Sequence, residues 1–422
     1  MIRAISHSWA LLLGFAFIQL GNGLQSTLLG VRATMEGFAT SATGIVMAGY
    51  YLGILLGSLV VPGLLRRVGH IRVFAALASL ASAAILMHLV LVDPWSWGIF
   101  RVASGFALAG LYVVAESWLN DRADNETRGQ LLAVYMVISL GGLGVGQLLL
   151  NAADPAGAML FILVSVLVSV ALIPIALTAV RAPAFEISRK ISLGALYRVS
   201  PLGVVGSLVT GMTYGAIFGM AAVYASTIGL SIEQVSYFMA AVLLGGVVLQ
   251  WPLGRLSDIV NRRVVIIIVT LCAGAVSFAA IFAADSSTTT LVALMCLYGG
   301  LALPLYSLCV AYINDYLAAD QMVAASSTIV LLRGVGACIG PLAAALLMSS
   351  VGPQGFLWTL CGAHGLLTVF ALYRMTRRAT RSVEEQRHYP AVEPSTQSVA
   401  TAIAMQDVRD VRDRDIARWS RP

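Results

Sequence analysis

Three ionisable side chains other than histidine lie well inside stretches of this sequence that are otherwise apolar: Arg101, Glu116 and Arg333. A charge at the centre of a lipid-embedded helix costs at least ~2.5 kcal/mol unless it faces a cavity or a partner, so each marks a candidate site. Two guanidiniums against one carboxylate make the interior lean positive, which suits an anionic or zwitterionic solute. Arg101 can instead be spent on backbone carbonyls. Glu116 follows Arg101 by 15 residues (116 − 101), about 22 Å along a helix axis, so the two do not pair directly. Glu116 either exchanges a proton as its surroundings alternate between wet and closed, or is a structural carboxylate bonded to backbone or to Arg128.

Uncharged polar residues sketch a lining around these charges. Gln19, Asn22 and Gln25 recur about every third residue and form one polar stripe on an apolar helix. Tyr112, Thr210, Thr213, Tyr214, Tyr298 and Tyr306 lie in comparable surroundings further along. Any one of these tyrosines taken alone can equally be packing. The five cysteines all fall in apolar runs of the second half with no CxxC pair, which reads as packing, and no metal site is expected.

The elements that must position these groups follow from composition. The chain has 422 residues, 59% hydrophobic and 11% charged, with mean hydropathy +0.87, outside the range of soluble domains. Twelve apolar runs of about 20 residues or more can be marked, each long enough to cross ~30 Å of hydrocarbon as a helix. They are residues 9–31, 41–65, 73–92, 95–119, 130–150 and 156–180, then 200–228, 234–253, 264–284, 291–313, 321–350 and 355–373. The runs lack the alternation of barrel strands, so each reads as an α-helix. The first run is too long for a removed signal peptide and has no small-residue cleavage site.

With the N-terminus cytoplasmic, every Lys and Arg except Arg32, Arg101 and Arg333 falls in a cytoplasmic connection or terminus. This is the positive-inside asymmetry, so the net charge of +6 reports topology and not nucleic-acid binding. The expected place is the cytoplasmic membrane of a bacterium, multi-pass, with both termini inside.

The string LYVVAESWLND at residues 111–121 is echoed by LYSLCVAYIND at 305–315, an offset of 194 (305 − 111). Gly142 and Gly146 match Gly336 and Gly340 at the same offset, and Pro62 precedes Gly254 by 192. A six-helix unit repeated in one orientation is the plan of carriers whose two bundles rock about a central site. The expected fold is all-α and integral to the membrane, with twelve transmembrane helices in two parallel-repeat six-helix bundles. The bundles are residues 1–180 and 200–376, joined by a cytoplasmic linker at 181–199 and followed by a polar, disordered tail at 377–422. Gly49, Gly53 and Gly57, and again Gly211, Gly215 and Gly219, form small-residue faces on which helices can approach and slide.

GRLSDIVNRR at residues 254–263 resembles the signature loop of the major facilitator superfamily, with Asn261 in place of its second glycine. RVASGFALA from Arg101 is similar to that family's pattern on its fourth helix, and VVAESW, RGQLLAVYM and LQWPLGRLSD are similar to its YcaD-like transporters. The resemblance implies that spans 1, 4, 7 and 10 line the solute path and that Gly254, Asp258, Arg262 and Arg263 help lock the outward-facing state. The first-half copy, PGLLRRVGHIR, has Pro62 and Arg66 where Gly and Asp are usual. There Arg66 and Arg67 are either positive-inside anchors, or Arg66 pairs across the halves with Asp315 or Asp320.

No phosphate-binding loop, HExxH or GxSxG motif is present, so neither ATP hydrolysis nor an enzyme of those classes is indicated, and no cofactor is expected. The sequence therefore reads as a monomeric, secondary active transporter. It moves a small organic solute across the bilayer by alternating access, coupled to protons. The alternative is a transporter-like sensor or assembly partner that binds a ligand without net transport.

Overall fold

A computed structural model of the chain describes residues 2–122, 128–177, 191–284, 286–377 and residue 386. The side chains of Arg128 and Asp320, most of the expected linker and almost all of the expected tail lie outside these residues.

Among the described residues the first six helices are α1 (Ile2–Met35), α2 (Thr40–Val68), α3 (His70–Val90), α4 (Pro94–Arg122), α5 (Arg128–Leu148) and α6 (Met159–Ala176). A short helix, α7 (Leu193–Val199), precedes α8 (Pro201–Thr227), α9 (Ile232–Ile259) and α10 (Arg262–Ala283). Then come α11 (Thr288–Ala302), α12 (Leu305–Asn314), α13 (Ala319–Val351) and α14 (Gly355–Arg377). Ten described helical segments have the length and apolarity of membrane spans, counting α11 and α12 as one, and α6 is a shorter apolar helix. With α1, whose polar stripe lowers its hydropathy, they make the twelve expected spans. Ile99, Trp251, Leu346 and Leu366 are exposed on the outside, where lipid tails replace water as solvent.

One expected span differs. The run at 291–313 is broken after Ala302, because Pro304 has no N–H to continue the ladder. Tyr306 therefore sits in the first turn of a new helix.

Ends and turns are set by local chemistry. Asp93 Oδ1 accepts from the backbone N–H groups of Trp95 and Ser96 and caps α4. Ser231 and Gln234 form a capping box on α9. Asn261, the departure from the family loop, caps α10 by accepting from the backbone N–H of Arg263 at 3.1 Å. Its φ of −54° needs no glycine. The equivalent turn in the first half does need one, since Gly69 has φ +87°.

The repeat is structural. Gly146 of α5 lies against the backbone at Leu20 of α1, and Gly340 of α13 lies against Met212 of α8, so each glycine lets the fifth span of its half close on the first. Gly49, Gly53 and Gly57 face α4, and Gly211 and Gly215 face α13, so these small-residue faces pack within a half. Only Gly219 also reaches the other half, at Met47.

The halves meet along α2 and α13, which run antiparallel: Gly44 faces Ala345, and Leu55 faces Gly334. Gly30 of α1 meets Ala222 and Val223 of α8 beside Arg32. Asn151 Nδ2 donates to Ser236 Oγ at 2.9 Å, and that hydroxyl donates to the carbonyl of Gln147 at 3.1 Å. These contacts close one end of the molecule, termed the Arg32 end. Arg66, at the far end of α2, lies at the same end as the start of α13 and as Arg262.

Candidate functional site

The third-spaced stripe on α1 begins a hydrogen-bonded chain. Tyr50 OH donates to Asn22 Oδ1 at 3.1 Å, Asn22 Nδ2 donates to Tyr112 OH at 2.9 Å, and Tyr112 OH donates to Gln19 Oε1 at 2.8 Å. Gln19 Nε2 ends the chain on the carbonyl of Ser139 at 3.2 Å. These bonds tie α1, α2, α4 and α5 together and aim Asn22 and Tyr112 inward.

They aim at a cavity between the halves with about 720 Å³ of empty space, mouth included. Its wall combines Asn22, Ser26, Tyr50, Tyr51, Arg101 and Tyr112 from the first half with Tyr214, Phe218 and Arg333 from the second. Arg101 reaches it because Gly105 and Ala109 of the RVASGFALA motif let α4 lie close on α2. There its guanidinium sits 4.3 Å over the ring of Tyr50. Arg101 is 2% exposed, and its Nε has no hydrogen-bond partner among the described residues. The alternative that Arg101 is consumed by backbone carbonyls finds no support in its surroundings.

Arg333 is held differently. Its guanidinium lies 4.5 Å from the ring centroid of Tyr214 and 4.4 Å from that of Tyr306, clasped between α8 and α12. Tyr51 closes the gap between the two arginines, edge-on to Tyr50 at 5.2 Å and to Tyr214 at 6.4 Å. One aromatic path thus runs from Arg101 across the boundary to Arg333. Cation–π contacts orient a guanidinium without neutralising it. Among the described residues lining the cavity, none is acidic.

Of the residues expected on the path, Asn22, Arg101, Tyr112, Tyr214 and Arg333 line this cavity. Thr210, Thr213 and Tyr306 line a smaller pocket beside Arg333. Gln19 stands behind the wall, Gln25 is buried outside it, and Tyr298 is bonded to His364 at 3.0 Å. Tyr50, Tyr51 and Phe218 were not expected. The adjacent tyrosines of GYYLG, on a glycine face, were the available signal. The lining also draws on α2, α5 and α13, beyond the expected first, fourth, seventh and tenth spans, because closure at the Arg32 end brings α2 and α13 into the wall.

Glu116 is not in the cavity. It is 1% exposed, one turn along α4 from Tyr112, and accepts from Tyr135 OH at 3.0 Å. The ring of Tyr135 stacks on Phe15 at 4.5 Å, and Phe15 meets Tyr112 edge-on at 5.6 Å. Glu116 is therefore one aromatic layer behind the solute wall.

The GRLSDIVNRR cluster forms within the second half. Arg262 Nη1 donates to both carboxylate oxygens of Asp315 at 2.6 Å, and Nη2 donates to Asp258 at 3.0 Å. Arg263 donates to Tyr312 OH through Nε and Nη2 at 3.1 and 3.0 Å. Gly254 accepts from Ser257 Oγ at 2.7 Å on α9. Gln386, from the tail, lines a small pocket with Arg262, Arg263, Tyr312, Asp315 and Tyr316. The expected pairing of Arg66 with Asp315 does not form here: Asp315 is buried against Arg262, whereas Arg66 and Arg67 are exposed at the end of α2.

A family model described as Major Facilitator Superfamily matches residues 11–231 and 203–412. An MFS-type transporter of Escherichia fergusonii, YcaD, described as uncharacterised, is 28% identical over 380 residues, covering 88% of this chain and 97% of that protein. Its counterpart in Salmonella typhimurium is 28% identical over 345 residues, 81% and 88% of the two chains. Among solved structures, a D-xylose-proton symporter superposes with TM-score 0.70 at 12% identity, covering 91% of this chain and 99% of that one. A nucleoside transporter, NupG, superposes with TM-score 0.66 at 13% identity, over 87% and 97%. At these identities the superpositions show a shared fold.

Proposed function

Because the chain belongs to the major facilitator superfamily of membrane transporters, we propose that it is a monomeric, proton-coupled carrier of a small organic anion. The observation that carries this reading is the pair of buried guanidiniums, Arg101 and Arg333, one from each half, in a chamber closed at the Arg32 end. The moving units are residues 1–180 and 200–376, joined through 181–199. The protein lies in the cytoplasmic membrane with its arginine-rich end and both termini inside, so the present conformation faces inward.

In the outward-facing conformation the inner ends of the bundles close. Gly254, Asp258, Arg262 and Arg263 then meet the end of α2, where Arg66 and Arg67 stand, and stabilise that state. Glu116 carries the coupled proton. Its carboxyl is buried one layer behind the wall on α4, the helix that also carries Arg101 and Tyr112, so a change in its charge acts on the site through the shared helix.

The test is uptake of labelled organic acids into vesicles reconstituted with the full chain, with and without an acid-outside gradient. Gradient-driven accumulation that fails in Arg101→Gln and in Arg333→Gln is the expected outcome. Binding without flux would make the protein a ligand sensor instead.

A further inference from the structure

We propose that the solute of this cavity is an amphipathic monoanion, of the aromatic monocarboxylate class, held by its carboxylate on Arg101 with its ring against Tyr51, Tyr214 and Phe218. The inference rests on the carrier reading for the location of the site and adds the chemistry of the occupant.

Arg101 supplies the anchor. It is 2% exposed, and among the described residues it has no ion pair and its Nε has no hydrogen bond. The ring of Tyr50, 4.3 Å from the guanidinium carbon, orients the group and supplies no negative charge. A buried charge is costly until it is paired and hydrogen-bonded. Arg101 lines the cavity, where no described side chain is acidic, so the pairing group must come from the occupant. A carboxylate matches the planar fork of a guanidinium. Arg333 has interactions of its own, the rings of Tyr214 and Tyr306 among them, so the anionic head is assigned to Arg101 alone.

The uncharged polar groups of the wall are engaged with one another. Tyr50 OH donates to Asn22, Asn22 to Tyr112, and Tyr112 to Gln19. Ser26 donates to the carbonyl of Gly23 and accepts from Gln147. A solute rich in hydroxyls, such as a sugar or nucleoside, would have to break these bonds to be recognised, and each polar group left unpaired is costly. An apolar body leaves them intact. The remaining wall suits such a body, with Ile54, Val330 and Ala337 beside the rings. Tyr214 and Phe218 lie 4.6 Å apart with their planes tilted by 48°, and Tyr51 meets Tyr214 edge-on. Flat rings pack well on surfaces of this kind, offset or edge-to-face. The empty space of about 720 Å³, mouth included, is in the range of sites for small molecules, about 300–1,000 Å³.

The experiment is a thermal-shift titration of the purified full chain in detergent at constant ionic strength and neutral pH. The probes are benzoate, phenylacetate and naphthoate, each beside its neutral amide, with acetate, succinate, glucose and uridine for comparison. A ligand of the folded state raises the melting temperature as it saturates the site. The best aromatic acid should reach half-saturation at a concentration about tenfold or more below that of its own amide and of acetate or succinate. The amide shares the ring but not the charge, so this comparison in the parent protein needs no variant and cancels partition into the micelle. Arg101→Gln should reduce the preference for acid over amide to about threefold or less. Arg101→Lys, which keeps the charge, should retain part of it and separates loss of the anchor from misfolding. Phe218→Ala should weaken the preference for an aromatic acid over acetate while acid is still preferred to amide.

Equal half-saturation for acid and amide would overturn the proposal, as would a preference for the acid that survives Arg101→Gln. So would tighter binding of acetate, succinate, glucose or uridine than of any aromatic acid, or no stabilisation by the aromatic acids at millimolar concentration. Binding of an aromatic acid without flux in reconstituted vesicles would instead sink the carrier reading and leave the monoanion site standing.

Discussion

The rings of Tyr51 and Tyr214 meet edge-on across the boundary between the two six-helix halves, with centroids 6.4 Å apart. Behind Tyr214 stands Arg333, and behind Tyr51, through Tyr50, stands Arg101. The contact is one of ring edges, placed between the two charged groups.

Arg333→Lys tests what the clasp contributes. A guanidinium stacks flat between two rings, whereas an ammonium is a point charge on a flexible stem. Cation–π contacts run from about 0.5 to 2 kcal/mol each, so losing part of two should raise the KM for uptake of the solute by roughly tenfold. Initial rates in reconstituted vesicles measure this. An unchanged KM would mean that charge alone matters at this position.

Glu116→Gln should leave exchange of internal for external solute intact while removing the acceleration that an acid-outside gradient gives to net uptake. Tyr135→Phe removes the hydroxyl that Glu116 accepts from and should weaken the gradient response without abolishing it. Paired measurements of exchange and gradient-driven uptake separate the two effects. A glutamine variant that still accumulates solute against its gradient would place the proton elsewhere.

The scaffold was legible in the sequence because its physics is periodic and local. Apolar length and the offset of 194 specify the helices and their pairing in two halves, though not the break after Ala302. The charges break that repeat: the offset places Ser139 at the counterpart of Arg333 (333 − 194) and Met295 at that of Arg101 (101 + 194). Exposure of Arg101 and Arg333 to a shared chamber depends on how the halves lean together, which no single helix encodes. Tyr50 and Tyr51 were missed because neighbouring tyrosines on a glycine face look like packing. One of the alternatives for Arg66 was pairing with Asp315, because the spacing does not reveal that the turn before α10 delivers Arg262 first.

Closure at the Arg32 end depends on small residues. A Cβ on Gly44 would collide with the Cβ of Ala345. Gly44→Leu should therefore hold that end apart and shift the population outward. Ser26, which lines the cavity and accepts from Gln147 Nε2 at 3.1 Å, offers a reporter. In cells, Ser26→Cys should react with a membrane-impermeant maleimide several-fold faster when combined with Gly44→Leu. Equal rates would argue against a seal at this contact.

Asp93 gives a dependence on pH outside the membrane. Hydrogen bonds from the Ser96 side chain and backbone, then from the backbone of Trp95, hold its carboxyl below the usual carboxylate range. A depressed native value contributes stability above the unfolded value, and this is lost as pH falls through the folded one. Asp93→Ala should lower the melting temperature slightly at pH 7, and the difference from the parent should vanish in strong acid. A gap that persists there would assign the loss to something other than the ionised cap.

The last prediction concerns the ion pair that anchors the inner turn of the second half. Arg262 is 1% and Asp315 is 3% exposed, with both carboxylate oxygens 2.6 Å from Nη1. Asp315→Asn strips the buried guanidinium of its principal counter-charge, for which a cost of about 3–5 kcal/mol is expected. Asp258, 26% exposed, pairs with the same arginine from the rim, and Asp258→Asn should cost about 1 kcal/mol or less. Denaturant unfolding in detergent compares them. The double variant Arg262→Met with Asp315→Leu separates stability from switching: an apolar replacement should recover most of the folding energy, yet remove one of the groups that stabilise the outward-facing state, so transport should fall while the protein remains folded. Equal destabilisation by Asp315→Asn and Asp258→Asn would show that the buried member of the triad is not the anchor.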